Sequence, residues 1–410
     1  MNKLSLSALV AAGLLAGGLT TTGASAADLG GDCCADLEER VAELEATTAR
    51  KGNRKVSLTV SGWVGQQVMF WDDGVESNTY IHDLGSTLGS HFKFTGSAQI
   101  NSEWSAGYVL HIEAISSDSL TTSQNVDNGP GALGGSAQLL QSYWYMKSER
   151  LGKVSVGLQS QASDNAAILV DGSGSLVPAN WVAFDVNSFF LRRTDGSLSP
   201  VTWGAAGNCG GMGGAWGDCN GLTRNVVRYD TPVFGGFSAS ASAGEDDMWD
   251  VAVRYAGELG RFKVAATAAY NETTDGDMGA IDDTLNYFQA GLYIQDNPTG
   301  LFVLGNYGFL DSDNTASESE TWYVKAGLRR KYFALGHTVL YGEYLNNQGE
   351  DSSFDFESEL NVWGLGVVQE IDAAAMSLWV KYRHMDFEEN LSGDQYEDFQ
   401  YVGAGALINF

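Results

Sequence analysis

From Lys55 to Phe410, apolar and polar residues alternate with a period of two. Val56, Leu58, Val60, Val64, Val68 and Phe70 share one face, and Ser57, Thr59, Ser61 and Gln67 share the other, joined by Trp63 and Met69. Near the C-terminus Met376, Leu378, Val380 and Tyr382 alternate with Ser377, Trp379, Lys381 and Arg383. Val402, Ala404, Ala406, Ile408 and Phe410 alternate with Tyr401, Gly403, Gly405 and Asn409. A period of two puts successive side chains on opposite faces of a strand, so such segments predict half-buried β-strands. Sixteen lie near 55–71, 90–100, 103–115, 137–149, 152–161, 222–231, 236–244, 248–257, 261–270, 284–295, 300–310, 320–331, 335–346, 358–370, 374–386 and 398–410. Most exceed the roughly 9–11 residues that cross a bilayer as a tilted strand. A strand of a water-soluble protein averages only about 5–6.

The connections alternate between short and long. Short ones fall at 100–103, 149–152, 231–236, 257–260 and 296–300 and near 331–335 and 370–374. Long ones fall near 72–89, 116–136, 162–221, 271–283, 311–319, 347–357 and 387–397, with a weak member at 245–248. Except for 162–221 and 245–248, the long segments are acid-bearing and lack Lys and Arg, whereas Arg150, Lys153, Arg261, Lys263, Arg329, Arg330 and Lys331 lie by the short turns. Short turns at one rim and long loops at the other describe a closed barrel in an outer membrane. Closure follows from solvent: in hydrocarbon every backbone N–H and C=O needs a partner, which excludes an open edge. Phe70, Trp71, Trp144, Trp249, Tyr270, Tyr287 and Trp322 near strand ends are candidates for interfacial girdles. The fold class expected is therefore all-β, a transmembrane antiparallel 16-stranded barrel.

Composition narrows the partners. The net charge of −28 argues against nucleic acid, because neutralising phosphates needs clustered Lys and Arg. Residues 1–26, with Lys3, an apolar run over Leu4–Leu19 and Ala24-Ser25-Ala26, read as a secretory signal peptide. Residues 27–53 have another period: Cys34, Leu37, Val41 and Leu44 are spaced 3, 4 and 3, the seam of a short coiled-coil-like helix. Two heptads are too short to be stable alone in water, so copies of the helix associate or it frays. Residues 54–410 form the barrel unit, with one very long loop at about 162–221.

The chain resembles the general outer-membrane porins of alphaproteobacteria. The resemblance rests on CCADLEERVAELEATTARKGNRKVSLTVSGWV, QSYWYMKSERLGKVSVGLQSQASDN, RNVVRYDTPVFGGFSASAS and the terminal aromatic Phe410. It covers residues 27–410. It implies a water-filled channel for passive diffusion of small hydrophilic solutes and ions, and a homotrimer in outer-membrane lipid and lipopolysaccharide. It also implies that the barrel-assembly machinery reads Phe410 and that the third loop folds into the lumen as a constriction. No enzyme activity, cofactor or metal is implied. A substrate-preferring channel, or a mainly structural barrel that anchors the envelope, are the alternative readings.

Candidate chemistry fits a channel. His82, His91, His111, His337 and His384 are scattered without metal-ligand spacing, and neither GxSxG nor GxxxxGK[ST] occurs. An inserted third loop would carry Asp164, Asp171 and Asp185 into the lumen, opposite Arg224, Arg228, Arg254, Lys381 and Arg383. Charges opposed across a wet gap set up a transverse field. Acid-rich outer loops would concentrate cations at the mouth, giving a mild cation preference. Cys209 and Cys219 flank GGMGGAWGD in an exported loop, and a disulfide between them is expected.

Overall fold

The computed structural model describes residues 55–127, 136–207, 223–245, 247–274, 284–312, 317–353 and 355–410. The expected leader, the coiled-coil seam of Cys34, Leu37, Val41 and Leu44, and the Cys209–Cys219 pair lie outside these residues.

Strands run in order β1 (Thr59–Asp72), β2 (Ser77–His82), β3 (His91–Gln99), β4 (Trp104–Ile115), β5 (Ser136–Ser148) and β6 (Gly152–Ser160). A short ribbon follows, β7 (Phe190–Arg192) with β8 (Leu198–Thr202), then β9 (Thr223–Asp230), β10 (Phe237–Gly244), β11 (Trp249–Leu259) and β12 (Phe262–Thr273). The last are β13 (Leu285–Asp296), β14 (Leu301–Ser312), β15 (Ser317–Phe333), β16 (Gly336–Asp351), β17 (Phe356–Ile371), β18 (Met376–Glu389) and β19 (Phe399–Asn409). All but β7 and β8 belong to one antiparallel sheet, which closes where Trp63–Asp72 pairs with Gln400–Asn409. β3 pairs with the first part of β1 and β2 with the last part. Those two are pieces of one stave, so the barrel has sixteen. Among the described residues no helix is long and apolar enough to cross a membrane.

Every expected strand is present. The differences lie above the bilayer. The segment 72–89, expected as one outer loop, turns at 73–76 and returns as β2. The chain leaves the stave only at 83–90, where Asp83 Oδ1 accepts from the N–H groups of Leu84 at 2.8 Å and Ser90 at 2.9 Å. The expected loops at 311–319 and 347–357 are largely strand, since β15 has 17 residues and β16 and β17 have 16 each. Outside the hydrocarbon both faces meet water, so the alternation fades while the hydrogen-bond ladder continues.

Alternation sorts the two faces. Val64, Phe70, Trp144, Trp249, Trp322 and Leu365 point outward and are exposed. Trp71 and Tyr287, expected in the girdles, point inward and are 4% and 1% exposed. The apolar core accordingly lies inside the barrel. Val170, Leu176, Val182, Phe184 and Phe189 of the third loop pack there against Tyr293, Leu304, Val339, Tyr341, Leu345 and Trp379 of the wall.

Candidate functional site

Residues 161–207 leave β6 and cross the interior. They form short turns of helix at Ile168–Val170, Leu176–Asn180, Val182–Asp185 and Trp203–Ala206, with the β7–β8 ribbon between the last two. Elements this short cannot be stable alone, so the wall must hold them.

The first stretch is bound through its backbone. The Ala162 N–H donates to Ser242 Oγ at 2.9 Å and the Ser163 N–H to Asp250 Oδ2 at 2.6 Å. Gln289 of β13 brackets the next turn, accepting from the Ala167 N–H at 2.8 Å and donating to the Ser163 carbonyl at 2.8 Å. Gly291 makes this approach possible: a Cβ there would lie 2.2 Å from the Ala167 carbonyl oxygen.

The middle stretch is bound through ion pairs. Lys325 Nζ of β15 lies 2.6 Å from Asp171 and also donates to Asn180 Oδ1 at 2.5 Å. Lys381 Nζ of β18 lies 2.5 Å from Asp185 and donates to the Pro178 carbonyl at 3.0 Å. Asp185 further accepts from Gln67 Nε2 at 2.6 Å and from the Tyr401 hydroxyl at 2.8 Å. Arg383 donates to Glu343 Oε1 at 2.7 Å, to the Tyr401 hydroxyl at 3.0 Å and to the Ala179 carbonyl. Lys325, Asp171 and Arg383 side chains are fully buried. Burial alone would raise the Asp185 carboxyl, but Lys381 and Arg383 hold it down to about 2. Three cations and three carboxylates thus neutralise one another at the contact.

The outer end is held by Arg192, which donates to Asp73 Oδ2 from Nε at 3.0 Å and Nη2 at 2.8 Å and to Glu76 at 2.5 Å. Phe189 sits between Trp71 and Phe399, with ring centroids 5.2 and 5.0 Å away.

The sequence placed eight charges around a wet gap, and the structure divides them. Asp185 is in contact with Lys381 and Arg383, and Asp171 with Lys325, so they fasten the loop instead of facing opposed charges across water. Arg224, Arg228 and Arg254 lie on the other side, beside the loop's start. Arg228 donates to Asp230 at 3.0 and 2.7 Å and to the carbonyls of Ser160 and Gln161 at 2.9 and 3.1 Å. Arg254 donates to Ser240 Oγ at 2.6 Å and to the Ala162 carbonyl. Asp164, at the root of the loop, accepts from Asn165 Nδ2 at 2.8 Å. The inward positions of β3, β5 and β6 add Lys93, Tyr143, Tyr145, Lys147 and Lys153 to this side. Alternation with Val324 along β15 turns Lys325 inward as well, but sequence reasoning missed Gln67, Glu343 and Tyr401 as partners of the loop. The inward row holding Glu343 also holds Tyr341 and Leu345, both buried, so polarity alone does not mark the lumen.

Comparison with known proteins agrees with this architecture. The chain is similar to the anion-selective porin from Comamonas acidovorans, with 16% identity, a TM-score of 0.56, and 87% of this chain and 100% of that one covered. It is similar to the trimer form of OmpT, an outer membrane protein of Vibrio cholerae, with 13% identity, a TM-score of 0.54 and coverage of 87% and 99%. It is also similar to Salmonella typhi OmpF in complex with daunomycin, with 13% identity, a TM-score of 0.53 and coverage of 88% and 99%. Likenesses at such identities establish the fold alone. Comparison with curated sequences finds no match. The profile of the Gram-negative porin family matches residues 8–407, nearly the whole chain, and with the closed barrel and inserted loop it shows that this protein belongs to the Gram-negative porins.

Proposed function

We propose that this outer-membrane porin is a general diffusion channel whose water path is displaced to one side of the barrel. The observation that carries the reading is the fastening of residues 162–186 to β10, β11, β13, β15, β18, β19 and β1. The path then runs along β3–β6 and β9, past Lys93, Lys147, Lys153, Arg224 and Arg228. Small hydrophilic solutes cross it down their gradients, with no covalent step.

Mouth and passage differ in sign. The acid-rich outer segments collect cations at low salt, and the basic wall opposes them further in. Salt screens the open mouth more than the narrow, low-dielectric passage. The cation preference is therefore strongest in dilute salt and falls as salt rises.

The functional unit we propose is a homotrimer. The short seam at Cys34, Leu37, Val41 and Leu44 supports it, as does the trimer form of the similar Vibrio cholerae protein. Residues 1–26 serve as the export signal and 27–53 as a periplasmic helix and linker. The ring of Phe410 is exposed at the barrel's lower edge, where the assembly machinery would reach it, and lipid with lipopolysaccharide would surround the apolar belt.

Proteoliposome swelling tests the diffusive reading. Influx of neutral sugars should fall smoothly with size and rise in proportion to concentration. Saturation at low concentration by one sugar, absent for others of its size, would overturn it in favour of a substrate-preferring channel.

A further inference from the structure

The inner wall of β1, β3 and β4 carries two histidines that the fastening of the loop does not use. Strand pairing sets Trp63 opposite His91 and Lys93 opposite His111. The His91 ring stands between those of Trp63 and His111, with centroids 4.1 Å from each. Each histidine is 8% exposed.

Their nitrogens leave lone pairs for a ligand. His91 Nδ1 lies 3.0 Å from the Gly89 carbonyl oxygen. A carbonyl can only accept, so Nδ1 carries the proton and Nε2 keeps its lone pair. Metal-binding histidines have this arrangement, the second nitrogen donating to a backbone carbonyl. In His111 both ring nitrogens are buried without a hydrogen-bond partner. A buried polar group left so is costly and calls for an ion or ordered water. A metal ion seated between the rings would take one lone pair from each.

We propose that His91 and His111 form a two-imidazole site for a divalent transition-metal ion such as Zn2+, with lumen water completing the coordination. Imidazole suits Zn2+, Ni2+ and Cu2+, whereas Ca2+ and Mg2+ prefer oxygen ligands. Among the described residues no group of three or more ligating side chains converges. Glu113, paired opposite His91, is occupied by the N–H groups of Thr87 and Gly89, each at 3.1 Å, and by the Gln138 amide at 2.9 Å. Lys93 is the like charge on this wall, and a bound ion must tolerate it.

Zinc titration by calorimetry tests the site, using full-length, untagged, metal-stripped protein in mild detergent. The parent should bind one more zinc equivalent per chain than the His91→Gln, His111→Gln double variant, so that other histidines and cysteines cancel. Lys93→Gln should tighten zinc binding severalfold, because it removes the repulsion; a purely structural histidine pair would not respond in that direction. In a planar bilayer, zinc should shift the reversal potential toward anions in the parent and not in the double variant. Equal zinc stoichiometry in parent and double variant would overturn the site. Should the double variant fail to assemble, unchanged or weaker zinc binding by Lys93→Gln would overturn it.

Discussion

Asp185 concentrates the fastening of the loop in one carboxylate. It meets Lys381 Nζ, the Gln67 amide and the Tyr401 hydroxyl at 2.5, 2.6 and 2.8 Å. Removing one partner of a buried pair leaves the other charge uncompensated, a loss of about 3–5 kcal/mol. Asp185→Asn should therefore release the middle of the loop while the strands persist, raising single-channel conductance and its noise at neutral pH. A quiet channel of unchanged conductance would contradict this. The pH dependence follows from the same group. Its folded pKa, about 2, lies below the ordinary carboxylate value of roughly 4. Its contribution to stability is complete above about pH 4 and is lost as pH falls through about 2. Conductance noise should thus stay low from neutrality to about pH 4 and increase towards pH 2, while Asp185→Asn should be noisy throughout. On the opposite wall, Arg224→Ala with Arg228→Ala should widen the passage and strengthen the cation preference, read from reversal potentials under a salt gradient. Unchanged selectivity would remove these two residues from the passage. The inward direction of Lys381 and Arg383 was legible, because period two allows no other direction for a charge at mid-membrane. Their contact with Asp185, and that of Lys325 with Asp171, was not, because pairing between a strand and a loop more than 100 residues away leaves no local pattern.

Strands were legible to within a few residues, since lipid on one side and water or loop on the other enforce alternation along each stave. Legibility ended where that contrast ends. The upper parts of β15, β16 and β17 stand outside the hydrocarbon, and their polar sequence reads as loop. β2 was lost inside 72–89 for the same reason. The third loop was visible only as a long gap between strands. Its elements, such as the five residues Leu176–Asn180, are too short to show a period. The wall accommodates the loop at particular points, and Gly291 of β13 is the sharpest of them. Any side chain there would strike the Ala167 carbonyl. Gly291→Val should push residues 163–171 off the wall and towards the open side, lowering conductance without unfolding the barrel. The comparison to make is conductance against heat-modifiable gel migration, which reports the intact barrel. Unchanged conductance would mean that the loop is not held at that point.

At the scale of the whole molecule, an apolar exterior, a closed ladder and a loop lining one side of the interior describe one device. The exterior dissolves in the membrane, closure satisfies the backbone, and the fastened loop narrows the bore. Charge is sorted by place: cations and carboxylates pair where the loop is held, and Lys93, Arg224, Arg228 and Arg254 lie on the other side. The measurement that tests the account most directly is single-channel recording of the purified protein in a planar bilayer across a range of KCl concentrations. The account predicts discrete, long-lived openings that close in three equal steps. Their conductance should rise nearly in proportion to bulk conductivity, with a cation preference that weakens as salt increases. An absence of steps, or a conductance that saturates at low salt, would contradict a water-filled diffusion channel.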